Sequence, residues 1–117
     1  MSKLLRSEEG NRKYRKYLET GVLEQGCPLC TKLASQTFTY WKIIPNDFPY
    51  DLIAKEHDMI VPLHHVREEE LTIDELREYA EIKENQLRKY DYIVEPIEGT
   101  KSIPKHHHLH LIVGKKI

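Results

Sequence analysis

Lys105-His106-His107-His108-Leu109-His110-Leu111-Ile112-Val113 places four of the chain's seven histidines within five residues and runs them into an apolar, β-branched stretch. An extended chain alternates its side chains between two faces. Read as a strand from 106 to 113, this stretch puts His106, His108 and His110 on one face. Leu109, Leu111 and Val113 go to the core face, with His107 as its odd member. Three imidazoles in a row pack poorly, but they make good ligands, bases or nucleophiles near neutral pH. A leucine interrupts the run and an apolar strand follows it, which sets it apart from an appended purification tag.

Around this stretch the chain has 117 residues, 39% hydrophobic and 32% charged, with a net charge of −1. That length suits one compact domain over 1–117 with a real core. The charge balance gives no basic stripe for nucleic acid. No apolar run approaches the roughly 20 residues of a membrane span, and Met1-Ser2-Lys3-Leu4-Leu5-Arg6 does not read as a signal peptide. With only two cysteines, a reducing, cytoplasmic setting is expected.

Residues 8 to 23 read as a helix carrying Tyr14, Tyr17, Leu18, Val22 and Leu23, stopped by Gly26. Thr37 to Ile44 is β-branched and aromatic and reads as a strand. Pro45 to Asp51 is turn chemistry, and Asp58 to Val61 is a short strand ended by Pro62. Thr72 and Glu75 form a capping box that opens a helix to about Lys89. Its apolar stripe is Leu76, Tyr79, Ala80, Lys83 and Leu87. Tyr92-Ile93-Val94 is a strand and Glu98-Gly99-Thr100 a loop. The order helix, strand, strand, helix, strand, strand implies an α+β fold.

Cys27-Pro28-Leu29-Cys30 has the two-residue gap that lets both thiolates reach one ion. A redox pair or inert thiols are the alternatives. A redox pair should open a helix after a strand, whereas this one follows a helix. With no second Cys-x-x-Cys, histidines must complete a metal site. His57, His64 and His65 flank the strand from Asp58 and are either site residues or surface histidines.

Taken together these residues resemble the histidine triad superfamily of nucleotide hydrolases and transferases. Its signature, His-φ-His-φ-His-φ-φ with φ apolar, reads here as His106-His107-His108-Leu109-His110-Leu111-Ile112, with His107 in an apolar slot. A second element, His-x-φ-φ-φ-Pro-x-x-His, reads His57 to His65. The Thr72 helix follows in order, and Cys-x-x-Cys matches the zinc-bearing branch. Asn46-Asp47-Phe48-Pro49 is similar to the Asn-x-Phe turn of hexose-phosphate uridylyltransferases. The resemblance covers about residues 27 to 113, with a zinc knuckle at 27–30 and a core from about 37 to 113.

That resemblance implies an antiparallel sheet of about five strands with helices packed on one face, and often a homodimer. It implies cleavage at the α-phosphate of a purine nucleotide derivative, such as a dinucleoside polyphosphate or a nucleoside phosphoramidate. His108 would be the nucleophile, forming a nucleotidyl-histidine. His110 would face the phosphate or leaving group, His57 would contact the phosphate region, and Asn46 would bind the ribose. Structural zinc would sit on Cys27, Cys30, His65 and His106, with His64 as the alternate to His65. The chain departs from the family pattern upstream of the triad. The usual asparagine and glutamine are missing, and Ser102, the expected substrate hydroxyl, lies one residue further from the triad. Lys101 and Lys105 are either phosphate contacts or solvated. Three rival readings have different chemistry: a nucleotide-binding module without turnover, a zinc hydrolase using the triad as metal ligands, and a zinc protein that binds nucleic acid.

Overall fold

The structure, a computed structural model, describes residues 4–97 and 103–116. Five strands form one antiparallel sheet: β1 (Gln36–Thr37), β2 (Trp41–Pro45), β3 (Ala54–Pro62), β4 (Tyr92–Val94) and β5 (Leu109–Gly114), in the order β1-β2-β3-β5-β4. Three helices accompany it, α1 (Glu8–Glu19), α2 (Pro28–Thr31) and α3 (Ile73–Asn85). The chain is therefore α+β, as its element order implies. None of its described helices is long and apolar enough to cross a membrane.

The register assigns each face. Ile43 lies opposite Ile60, and Ile60 opposite Leu109. With Trp41, Leu111, Ile82 and Leu87 they form the larger core cluster under α3. On the other face Ile44 lies opposite Met59, and Met59 and Val94 flank His110. Leu29 of α2 packs on that second face with Ile44 and Val61. The helices are thus divided between the two faces rather than gathered on one. The two-residue cysteine gap winds α2 into a single turn, and Leu29 anchors that turn to the sheet.

Five element boundaries differ from the sequence reading, one being the end of the Thr72 helix, which comes at Asn85 rather than near Lys89, with Gln86 as its C-cap. The first helix stops at Glu19 because Gly21 adopts a left-handed φ of 76°, and Val22–Gln25 then form a separate 3₁₀ turn. The expected strand from Thr37 to Ile44 is a hairpin. Phe38 N–H donates to Trp41 O, and Glu78 of α3 accepts from the N–H groups of Thr39 and Tyr40. The strand expected at Asp58–Val61 extends back to Ala54 through an irregularity near Ala54 and Glu56. The last strand starts at Leu109, because its partner β3 ends at Pro62 and His107 N–H donates to Val66 O instead.

The capping box opens α3 as expected, with Thr72 Oγ1 accepting from Glu75 N–H and Glu75 Oε1 accepting from Thr72 N–H. Its buried side is Glu75 and Ile82, joined by Tyr79, whereas Leu76, Ala80 and Lys83 are exposed. Trp41 draws this side inward, since its indole N–H donates to Glu75 O and its ring packs on Tyr79.

Candidate active site and metal centre

The triad segment keeps its alternation although only part of it is paired as a strand. His107 meets the Trp41 ring in a T-shaped contact, while His106, His108 and His110 turn to the opposite face. All four are buried.

Cys27 and Cys30 flank the turn of α2 and meet His65 and His106 there, forming a group that can hold a metal ion. His106 Nδ1 lies 3.5 Å from Cys27 Sγ, 3.4 Å from Cys30 Sγ and 3.3 Å from His65 Nδ1. Cys30 Sγ lies 3.4 Å from His65 Nδ1. Four N and S donors placed about 2.0–2.3 Å from one ion in a tetrahedron stand about 3.3–3.8 Å apart. These separations match the edges of such a site. On the far side of the ring, His106 Nε2–H donates to Pro62 O at 3.0 Å, which leaves the Nδ1 lone pair facing the thiols. Burial lowers the His106 pKa to about 4 and so favours the neutral, ligating form. Burial also raises the Cys30 pKa, so a thiolate pair here needs a cation beside it. Lys42 holds the turn from below through Cys30 O and Lys32 O. His64 is directed elsewhere, to Glu75 Oε2 at 3.0 Å. Glu68, Glu95 and His107 make a second such group, whose two acids are exposed.

Beside this Cys/His group, His108 and His110 line a cleft with Asn46, Leu29, Ile44 and Met59. His108 Nδ1–H donates to His106 O at 2.8 Å, so the lone pair of its neutral ring is on Nε2. Behind His110 the proton positions follow by elimination. Tyr50 N–H donates to His57 Nδ1 at 3.0 Å, so neutral His57 carries its proton on Nε2. That Nε2–H donates to His110 Nδ1 at 2.8 Å, and His110 Nε2–H in turn reaches Tyr50 Oη at 3.2 Å. Burial, and secondarily the charge of Arg6, lowers the His57 pKa to about 4 and keeps it neutral. Asn46 Nδ2, 3.2 Å from the same His57 Nε2, is then a contact between two donors. Asn46 Oδ1 accepts from Phe48 N–H at 2.8 Å and fixes the turn.

The structure thus brings together all four expected metal ligands, and it places His108, His110 and Asn46 on one cleft. His57 sits behind His110 and is not part of the cleft wall. Ser102, Lys101 and the loop from Glu98 to Thr100 lie outside the described residues, and Lys105 is exposed. Sequence reasoning did not single out Arg6 or Tyr50 for the cleft. Their pairing with residues more than 40 positions away, Arg6 with Phe48 O and Tyr50 with His110, leaves no local signal. No protein-family model matches the chain, and no curated protein matches it closely enough to count as a relative.

Proposed function

We propose that this protein is a histidine triad nucleotidyl hydrolase or transferase, cleaving at the α-phosphate of a purine nucleotide derivative, with zinc at Cys27, Cys30, His65 and His106. The observation that carries this reading is the bond from His108 Nδ1–H to His106 O, which leaves the Nε2 lone pair for a cleft shared with His110 and Asn46. A neutral imidazole nitrogen so oriented is a competent nucleophile. His108 Nε2 attacks the α-phosphorus, a P–N bond forms, and the bond to the leaving group breaks with its electron pair. Water or another acceptor then releases the nucleotidyl group and restores His108. His110 Nε2–H, which reaches Tyr50 Oη in the structure, would exchange that acceptor for the phosphate or leaving group, and Asn46, on the same cleft, would contact the ribose. His57 acts as a positioning residue that fixes the His110 tautomer.

Zinc, when bound, supplies a four-ligand structural tie with no position for substrate. A three-histidine catalytic metal site fits less well. His106 turns its Nδ1 to the cysteines, and neither metal-holding group among the described residues contains His108 or His110. The test is intact-mass and peptide mass spectrometry after incubation with labelled dinucleoside polyphosphates and nucleoside phosphoramidates. The expected adduct is one nucleotidyl group on His108, lost in His108→Ala. Turnover without any His108 adduct, or an adduct that persists in His108→Ala, overturns the mechanism.

A further inference from the structure

Arg6 is 6% exposed and lines the cleft, yet no carboxylate lies within ion-pair distance of it among the described residues. Its guanidinium carbon stands 4.4 Å from the Tyr14 ring centroid and 4.9 Å from that of Tyr50. Among the described residues its side chain makes one hydrogen bond, from Nε–H to Phe48 O at 2.9 Å. Asp51, the acid whose charge acts on it, is engaged with Ser7, accepting from N–H and Oγ–H at 2.6 Å each. Burial lowers the Arg6 pKa, but a guanidinium stays charged in a protein. A buried charge is costly without a counter-charge, and stacking on two tyrosines offsets only part of that cost. The Tyr50 ring under Arg6 also packs on His110, with centroids 4.8 Å apart. The cation therefore stands one ring away from the proposed phosphate donor, on the same cleft.

We propose that Arg6 receives a second phosphate of the ligand, distinct from the one His108 attacks, so that the preferred substrates are nucleotides carrying more than one phosphate. This rests on the nucleotidyl-transfer reading above and narrows it. The forked Nη donors suit a phosphate, and a charge-assisted pair of this kind is worth about ten- to a hundredfold in affinity. The second phosphate can belong to the leaving group or to the ribose; the recognition chemistry is the same.

Calorimetric titration of the metal-loaded full chain with AMP, ADP, adenosine 3′,5′-bisphosphate and pyrophosphate separates these sources. At least one of the two doubly phosphorylated nucleotides is expected to bind about tenfold or more tightly than AMP. A preference for ADP assigns the phosphate to the leaving-group side, and a preference for the bisphosphate assigns it to the ribose. Arg6→Gln should reduce that advantage below about twofold, and Arg6→Lys should restore part of it, because charge is kept and the fork is lost. Melting curves and metal content of both variants check that the fold is intact. Equal wild-type affinities for AMP and both doubly phosphorylated nucleotides overturn the inference even if the variants fail to fold, as does an advantage that survives Arg6→Gln. Pyrophosphate binding that depends on Arg6, with no nucleotide binding better, removes the nucleotide reading and keeps the anion site. No binding of any of the four overturns both.

Discussion

His57 is uncharged in the folded protein because it is buried beside Arg6, and this has a consequence for stability. Its pKa falls from 6.5 to about 4 on folding. Between those values the unfolded chain holds more protons than the folded one. The contribution of His57 to stability is therefore complete above about pH 6.5 and is lost as the pH falls toward 4, at no more than about 1.4 kcal/mol per pH unit. Urea unfolding of the wild type and His57→Gln at pH 7 and pH 5 measures it. The wild type should lose more stability over that step than the variant. His106, also depressed, is common to both and cancels. An equal loss in the two proteins would refute the assignment of a neutral His57. At this scale the metal group was legible in the sequence, because a two-residue cysteine gap and histidines beside strands are local patterns. His65 rather than His64 was legible only through the family resemblance, and the structure adds the reason, since His64 is turned to Glu75. Arg6 and Tyr50 were not legible, because a cation stacked on rings from distant segments has no spacing rule.

Helix α3 shows how far periodicity carries at the level of an element. Its start was readable to the residue from the capping box, and Thr72→Ala should cost about 1 kcal/mol. The apolar stripe expected from the sequence lies about 1 residue off the inward face, since it includes Leu76 and Ala80 and omits Glu75, consistent with the weak stripe a charged helix presents. Glu75 is buried because its carboxylate completes the cap and meets His64, an arrangement that hydrophobicity alone does not register. The corrected face makes a sharp prediction. Ile82, 3% exposed, packs with Trp41, Ile60 and Leu109, so Ile82→Ala should cost about 2–5 kcal/mol. Leu76, 49% exposed, should lose less than about 1 kcal/mol on the same change. Equal losses in chemical denaturation would return the helix to the orientation read from its sequence. The hairpin of β1 and β2 escaped the strand reading for a similar reason. Its turn at Thr39 and Tyr40 contains neither glycine nor proline and is held by Glu78 from the helix.

Across the whole molecule, the metal group joins the α2 turn, the chain beyond β3 and the approach to β5, three segments far apart in sequence. Binding energy at such a site becomes folding energy, so chelation, or Cys27→Ser, should lower both the metal content and the melting temperature. His106 makes the consequence reach further. Its Nδ1 faces the thiols while its backbone carbonyl holds His108 Nδ1–H, so an ion held there would brace the group that orients the proposed nucleophile. Chelation is therefore expected to slow nucleotidyl transfer more than it weakens nucleotide binding, and added zinc should restore the rate. The three histidines of one face should then fail in three different ways. His106→Ala should lose metal and melt earlier. His108→Ala should keep metal, melting temperature and nucleotide binding while losing turnover, since proximity cannot replace a nucleophile. His110→Ala should keep the nucleophile and lose a donor to the phosphate or leaving group, a change of about 10² to 10³ in rate. Metal analysis, melting curves and single-turnover kinetics on the three variants distinguish these outcomes. Wild-type turnover in His108→Ala, or metal loss as the common defect of all three, would make the triad a metal site and overturn the division of labour between the two faces of His106.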